Sequence, residues 1–277
     1  LLACAYASHG DTKHVLLFPE DPRECFEFSA KAFELADRLQ TPIFVMTDLD
    51  IGMNTRLCEP LQWDDSHAYD RGKVMTYEEL QAGKDFGRYN DIDGDGIPYR
   101  TYPGTHPKGG AYFTRGTTKD RYARYSEAGP DYVDNMQRLT RKFETAKTLV
   151  PRPLLYPAEK PARFGAIFYG STSPAMQEAL DVLASRGIHV NALRVRGFPF
   201  QDEIADFVAS HPWVFVVEQN RDAQLKTLLV NEAKVNQTRL LSVLHYDGTP
   251  ITARFIVDQI SQHASARTVV PLKKVVS

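Results

Sequence analysis

The stretch DIDGDGIPYR, residues 91–100, carries three carboxylates at alternate positions, Asp91, Asp93 and Asp95, ahead of Gly96. A helix–loop–helix calcium site begins in this way, with oxygen ligands at positions one, three and five, a glycine at six and a bidentate glutamate at twelve. Counted from Asp91, the glycine falls at position six, but position twelve is Tyr102. Pro98 and the following RTYPGTHPKGG also deny the loop an exit helix. Asp and Gly alternate in tight turns for a simpler reason: Asp bonds its own backbone and Gly accepts positive φ. A calcium sensor is not expected, and the three aspartates stand only as candidates for holding a cation.

A second set of candidates follows from the rule that open α/β sheets bind ligands at the carboxyl ends of their strands. Thr47, Asp48 and Asp50 end the apolar run IFVM, Ser171 and Thr172 follow FGAIFY, and Glu218, Gln219 and Asn220 follow VFVV. YGSTSP either cradles a phosphate at a helix start or is a plain N-cap, and it lacks the full glycine fingerprint. The Glu-Gln-Asn run could hold a ligand, hold a partner backbone, or satisfy loop amides. His9, Gly10 and Asp11 precede the first apolar run, where His and Asp could act as an acid–base pair or simply shape a turn. The sequence has no G-x-S-x-G, H-E-x-x-H or Walker lysine loop.

The elements that must position these groups fall into two α/β units. HVLLF (14–18) reads as a buried strand, and Asp21, Pro22 and Glu24 as a helix start of capping-box type. Phe26, Ala30, Phe33 and Ala36 recur at helical spacing up to Thr41-Pro42, after which IFVMT reads as a second buried strand. Short connections make this a βαβ crossover with parallel strands. Residues 49–130 are rich in Gly, Pro, Asp and Tyr with weak periodicity, the mark of a functional excursion or interface wrapper. Residues 131–150 read as a helix with Val133, Met136, Leu139, Phe143, Ala146 and Val150 on its apolar face, and four prolines between 151 and 161 read as a stiff linker. Beyond Arg163, four apolar runs alternate with four helical patterns, the first capped by Ser173 and ended by Gly187, which predicts a doubly wound domain.

Composition narrows the function classes. With 33 Lys and Arg against 35 Asp and Glu, the net charge of −2 gives no footprint for nucleic acid or an anionic membrane. No apolar run reaches the roughly 18 residues of a membrane-spanning helix. Cys4, Cys25 and Cys58 are odd in number and form no C-x-x-C pair, so neither a disulfide framework nor a cluster held by this chain alone is expected, and a reducing cytoplasm fits. The chain opens inside an apolar stretch without an initiator Met, as the later part of a longer polypeptide would.

At H-G-D-T-K-H (9–14), E-C-F-E-F (24–28), L-Q-T-P-I-F-V (39–45) and T-D-L-D-I-G-M-N (47–54), the chain resembles the α chain of the thiamine-dependent 2-oxoacid:ferredoxin oxidoreductases. Residues 91–120 are similar to those of the 2-oxoglutarate branch, and Glu218-Gln219-Asn220 with Gln224-Leu225 to the second α-chain domain. The resemblance covers nearly the whole chain. It implies an α/β fold made of the C-terminal part of a thiamine-enzyme pyrimidine-type domain (1–50), a loop-rich connection and helix (51–150), the Pro-rich linker (151–162) and a transketolase C-terminal-like doubly wound domain (163–277). It gives residues 91–100 to the connection, not to a calcium site.

The implied activity is oxidative decarboxylation of 2-oxoglutarate to succinyl-CoA with electrons passing to ferredoxin; pyruvate or branched-chain 2-oxoacids are the alternative substrates, and a non-catalytic scaffold or dimerisation module is the alternative role. The implied partners are a β chain, a second α chain and ferredoxin. Thiamine diphosphate, Mg and the iron–sulfur cluster are expected mainly on the β chain, with CoA as co-substrate. The family's pyrimidine-facing glutamate and substrate-facing arginine segment would lie upstream of Leu1, and the CoA-associated γ region has no counterpart, so no catalytic residue is assigned. His9, Gly10 and Asp11 are substrate-proximal candidates by position. Arg56, Arg100 and Arg115 are candidates for the distal carboxylate of a dicarboxylic substrate.

Overall fold

A computed structural model describes residues 1–8 and 11–268, with the side chains of 267 and 268 outside the description. The first unit runs α1 (Leu2–Ala5), β1 (Val15–Leu17), α2 (Pro22–Leu39) and β2 (Ile43–Val45). β1 and β2 pair in parallel, Val15 opposite Ile43, as the crossover requires. Asp21 Oδ1 accepts the Glu24 amide at 2.7 Å, Pro22 sits in the first turn, and Gln40 in the left-handed region (φ 50°) ends the helix before Thr41-Pro42. The expected capping box is incomplete, because the Glu24 carboxylate takes the Glu20 amide instead of that of Asp21. The buried face of α2 is also rotated from the expected one. Phe28, Leu35 and Leu39 pack on β1, whereas Phe33 is 79% exposed. β2 is half-buried rather than buried, since it forms the edge of a three-stranded sheet.

The excursion that follows holds only α3 (Leu49–Gly52) and α4 (Tyr77–Gln81) before the long α5 (Gly129–Lys147). The C-terminal part of α5 matches its expected face: Phe143 and Ala146, with Val150, join the core of Val15 and Leu17. The N-terminal part does not, because Val133 is exposed and the inward positions are Arg138 and Lys142. Residues 91–97 lie directly on this helix. Gly96 (φ +81°) makes the approach possible, since a Cβ there would stand 2.2 Å from the Lys142 backbone nitrogen.

The second unit runs β3 (Leu154–Tyr156), β4 (Phe164–Tyr169), α6 (Ser173–Ser185), β5 (Val190–Val195), β6 (Gly197–Phe198), α7 (Asp202–Ser210), β7 (Trp213–Glu218), α8 (Gln224–Glu232), β8 (Leu240–Leu244) and α9 (Ala253–Thr268). β5, β4, β7 and β8 pair in parallel in that order, giving the expected doubly wound sheet. Alternate strand residues feed two cores. Ile167, Val214 and Val216 face α7 and α8, and Ala166, Phe168 and Phe215 face α6 and α9. The segment 151–162 is not purely a linker: β3 pairs antiparallel to β5 at the sheet edge, where flanking prolines interrupt no ladder. Ser173 is buried and caps nothing; a tight helical turn, Gly170–Thr172, leads into α6 instead. Gly187 does end the helix, at φ +76°.

The two units share one interior. β6 pairs antiparallel with β1, Leu16 opposite Phe198, and Leu16, Phe18 and Ala5 join the core over α7 and α8. A buried ionic cluster adds to the join. Glu24 Oε1 on α2 accepts from Arg194 Nη2 (2.6 Å) and Arg196 Nη2 (2.8 Å) on and after β5, while Glu20 pairs with the other Arg194 nitrogen. Arg194 is wholly buried. Among the described residues, no helix is long and apolar enough to cross a membrane.

Candidate functional site

The carboxyl ends of β2, β4, β7 and β8 converge on a cleft of about 490 Å³ between the two units. Thr47, Asp48, Asp50, Ser171, Thr172 and Gln219 all line it, so strand-end candidates from three separate stretches meet in one place. Each is delivered by local structure. Asp48 caps α3, its Oδ1 accepting the Ile51 amide at 3.1 Å, which leaves Oδ2 to accept the Ser171 hydroxyl. Gly170, at φ +59°, turns the chain sharply out of β4 and swings Ser171 and Thr172 into the cleft. Gln219 Nε2 donates to Ser171 Oγ (2.9 Å) and Thr172 Oγ1 (3.4 Å), and its Oε1 accepts the Ile251 amide (3.2 Å). The result is a directed relay, Gln219 to Ser171 to Asp48, that ties β7, β4 and β2 together.

Glu218 and Asn220 serve a different purpose from Gln219. The Glu218 carboxylate accepts from Leu225 N (2.7 Å), Lys226 N (3.3 Å) and Asn220 Nδ2 (2.7 Å), and Asn220 Oδ1 accepts from Gln224 N (3.1 Å). These bonds satisfy the free amides at the start of α8. Burial still raises the Glu218 pKa, against the opposing pull of the same hydrogen bonds. Tyr169, at the cleft wall, is pushed up by burial and by the neighbouring Glu218 charge, so its phenol stays neutral. The β8 end contributes His245, Tyr246 and Thr249, residues that sequence reasoning missed. Their signal was present, since HYDGT directly follows the strand run RLLSVL and the strand-end rule applies there too. The His245 ring packs edge-on to Phe255 at 4.9 Å, with Nε2 3.4 Å from Asp247.

The remaining candidates lie elsewhere. His9 and Gly10 are outside the described residues. Asp11 is exposed and accepts the Tyr132 hydroxyl at 3.3 Å, away from the cleft lining. Asp91 pairs with Arg141 (3.0 Å), and Lys73 Nζ stands 2.7 Å from Asp93 and 2.8 Å from Asp95, where a cation ligand would sit. The Lys73 hydrogen bond holds the Asp93 carboxyl below its usual range. Among the described residues, no group of three or more His, Cys, Asp or Glu side chains is placed to hold a metal. Arg56 donates to the Glu20 carbonyl, Arg100 pairs with Asp37 (3.2 Å), and Arg115 lies over the Tyr125 ring at 5.8 Å. None of the three arginines lines the cleft.

No family model matches the chain. Among curated proteins, it is 26% identical over 258 residues to 2-oxoacid:ferredoxin oxidoreductase 2, subunit alpha, of Aeropyrum pernix, covering 91% of this chain and 38% of that protein. It is 25% identical over 208 residues to the 2-oxoglutarate synthase subunit KorA of Methanocaldococcus jannaschii, covering 74% of this chain and 52% of that one. The chain thus spans well under two thirds of the length of these relatives. A solved 2-oxoglutarate:ferredoxin oxidoreductase from Magnetococcus marinus superposes with a TM-score of 0.81 at 20% identity, over 95% of this chain and 44% of that one, which shows that the fold is shared. The chain's homologues are therefore α subunits of 2-oxoacid:ferredoxin oxidoreductases, as the motifs at 9–54 imply.

Proposed function

We propose that this chain forms part of the α subunit of a 2-oxoglutarate:ferredoxin oxidoreductase, converting 2-oxoglutarate and CoA to succinyl-CoA and carbon dioxide with ferredoxin as electron acceptor. The observation that carries this reading is sequence similarity to a 2-oxoacid:ferredoxin oxidoreductase α subunit over 91% of the chain, joined by similarity to a 2-oxoglutarate synthase KorA subunit over 74%. A broader 2-oxoacid range is the second reading, favoured by the general substrate name of the Aeropyrum pernix relative.

The cleft defines what this chain can contribute. Among the described residues its lining includes no Lys or Arg, but presents Asp48, the Ser171 and Thr172 hydroxyls and the Gln219 amide. Such a surface accepts hydrogen-bond donors or a partner's backbone and does not pair with the carboxylates of a 2-oxoacid. Nor does it fit a cofactor centre: Asp48, bound by a serine, and Asp50, with hydroxyls and an amide and no thiolate, do not make a donor set for a metal-bound diphosphate or an iron–sulfur cluster. Under this proposal, thiamine diphosphate, its Mg and the cluster belong to a β chain, where the thiamine supplies the electron sink for decarboxylation. The present chain supplies a rigid wall, fixed by the Gln219–Ser171–Asp48 relay, and a cytoplasmic complex is the expected setting.

Affinity purification of the native complex through this chain tests the assignment. The expected result is a co-purifying chain carrying an iron–sulfur chromophore and thiamine diphosphate. Recovery of this chain with neither would overturn the proposal.

A further inference from the structure

The inward positions of α5 raise a question that the cleft does not absorb. Arg138 and Lys142 are 7% and 6% exposed, clamped beneath residues 91–97 by the close approach at Gly96. Buried cations are strongly disfavoured unless paired or fully hydrogen-bonded. Among the described residues the Arg138 side chain makes one hydrogen bond, Nη1 to the Gly96 carbonyl at 3.1 Å, and its buried Nε has no partner. Lys142 has no side-chain hydrogen bond or ion pair among the described residues, and its amine lies 5.9 Å from the Phe143 ring. Two further cations join Arg138 (5.6 Å) around the ring of Tyr89: Arg88 at 5.5 Å and Lys119 at 5.3 Å.

The carboxylates that could have neutralised this cluster are engaged elsewhere. Asp91 pairs with Arg141, Asp93 and Asp95 with Lys73, and Asp134 with Arg121. Among the described residues, no carboxylate forms an ion pair with Arg88, Lys119, Arg138 or Lys142. These cations also act on one another: burial, with Arg138 and Arg88 alongside, brings the Lys142 amine down to about 8. Three cations gather on one ring with Lys142 alongside, and Asp91 and Asp134, whose charges reach Arg138, are already paired with other cations, so the charge pattern lacks its counterpart.

We propose that Arg88, Lys119, Arg138 and Lys142 form a binding site for a phosphate group carried by a small molecule. Size follows from burial. Arg138 and Lys142 are too deep for the surface of another protein to reach, whereas Arg88 and Lys119, both half-buried, leave an approach for a small anion. Charge and shape follow from the donors. Guanidinium groups grip tetrahedral oxyanions through paired N–H bonds and an ammonium adds a point charge, so a group with three oxygens and two charges uses the cluster better than a single carboxylate. Free phosphate, and the phosphate or diphosphate of a larger molecule, share this chemistry. None of the four residues lines the cleft, so the site stands independently of the enzymatic reading.

Calorimetric titration of the full chain with inorganic phosphate and with pyrophosphate, against sodium chloride of matched ionic strength, tests the site. Binding of either oxyanion above the chloride control is expected. Lys142→Met should weaken it at least tenfold while making the anion-free protein melt at higher temperature, because a buried unpaired charge has gone. Arg88→Gln, at the half-buried approach, should weaken binding about as much with the melting temperature unchanged, and it decides the matter if Lys142→Met does not fold. Pyrophosphate binding at least tenfold tighter than phosphate would assign the site to a diphosphate-bearing molecule, and equal affinities to a single phosphate. No binding above chloride, or binding undiminished in the variants, would overturn the proposal.

Discussion

The buried cluster joining α2 to β5 gives a quantitative test of how the two units are held. Glu24 Oε1 receives Arg194 Nη2 at 2.6 Å and Arg196 through Nε (3.1 Å) and Nη2 (2.8 Å), while Oε2 takes the Glu20 amide at 3.1 Å. Glu24→Gln keeps the volume and an acceptor for that amide but removes the charge. Breaking a buried pair by removing one partner typically costs about 3–5 kcal/mol. Glu20 still neutralises part of Arg194, and the Arg196 side chain is 21% exposed, so the low end applies, about 3 kcal/mol. For a chain of this size, that loss corresponds to a fall in Tm of roughly 6–12 °C. Thermal and urea unfolding followed by circular dichroism would read it. A double-mutant cycle with Arg194→Met separates the ionic coupling from packing, since the paired change removes both charges together and should recover part of the loss. A loss for Glu24→Gln below about 1 kcal/mol, or strict additivity in the cycle, would refute the view that this cluster joins the units.

Other outcomes follow from the same structure. Lys142 is depressed from 10.5 to about 8, so between those values the unfolded chain holds a proton that the folded chain has released. Stability should therefore rise with pH across that window, by roughly 3 kcal/mol if the whole shift is realised, and the rise should vanish in Lys142→Met when denaturant midpoints are compared. Gly96→Ala places a Cβ against the α5 backbone at a positive φ; at least about 2 kcal/mol should be lost, with hydrogen exchange of residues 91–97 accelerated well beyond that of the β4–β7 core. Ser171→Ala removes the donor to Asp48 and the acceptor of Gln219, which should cost about 1–2 kcal/mol in urea unfolding, whereas Ser171→Thr should recover part of the loss by restoring the hydroxyl.

What the sequence made legible were the features encoded locally. Asp21-Pro22 opens α2, and the parallel β1–α2–β2 unit and the alternating strands and helices after Arg163 are read from short-range pattern. Features that depend on distant partners were not legible. Glu24 reads as a capping residue, but its strongest partners lie some 170 positions away, on and after β5. The face of α5 reads as apolar throughout, yet residues 91–97 cover Arg138 and Lys142 instead of Val133, a choice made by the glycine at 96. β3 is three residues between prolines and becomes a strand only because β5 offers it an edge. The cleft was half legible. The ends of β2, β4 and β7 were marked by polar residues after apolar runs, and the β8 end was marked in the same way and passed over.

The most direct test of the enzymatic assignment is anaerobic, CoA-dependent reduction of a viologen dye by the intact complex that contains this chain, with 2-oxoglutarate and pyruvate compared as substrates. The expected result is reduction that needs CoA and strongly prefers 2-oxoglutarate. Turnover of pyruvate alone would contradict the substrate, and no turnover of either, with thiamine and cluster demonstrably bound, would contradict the activity itself.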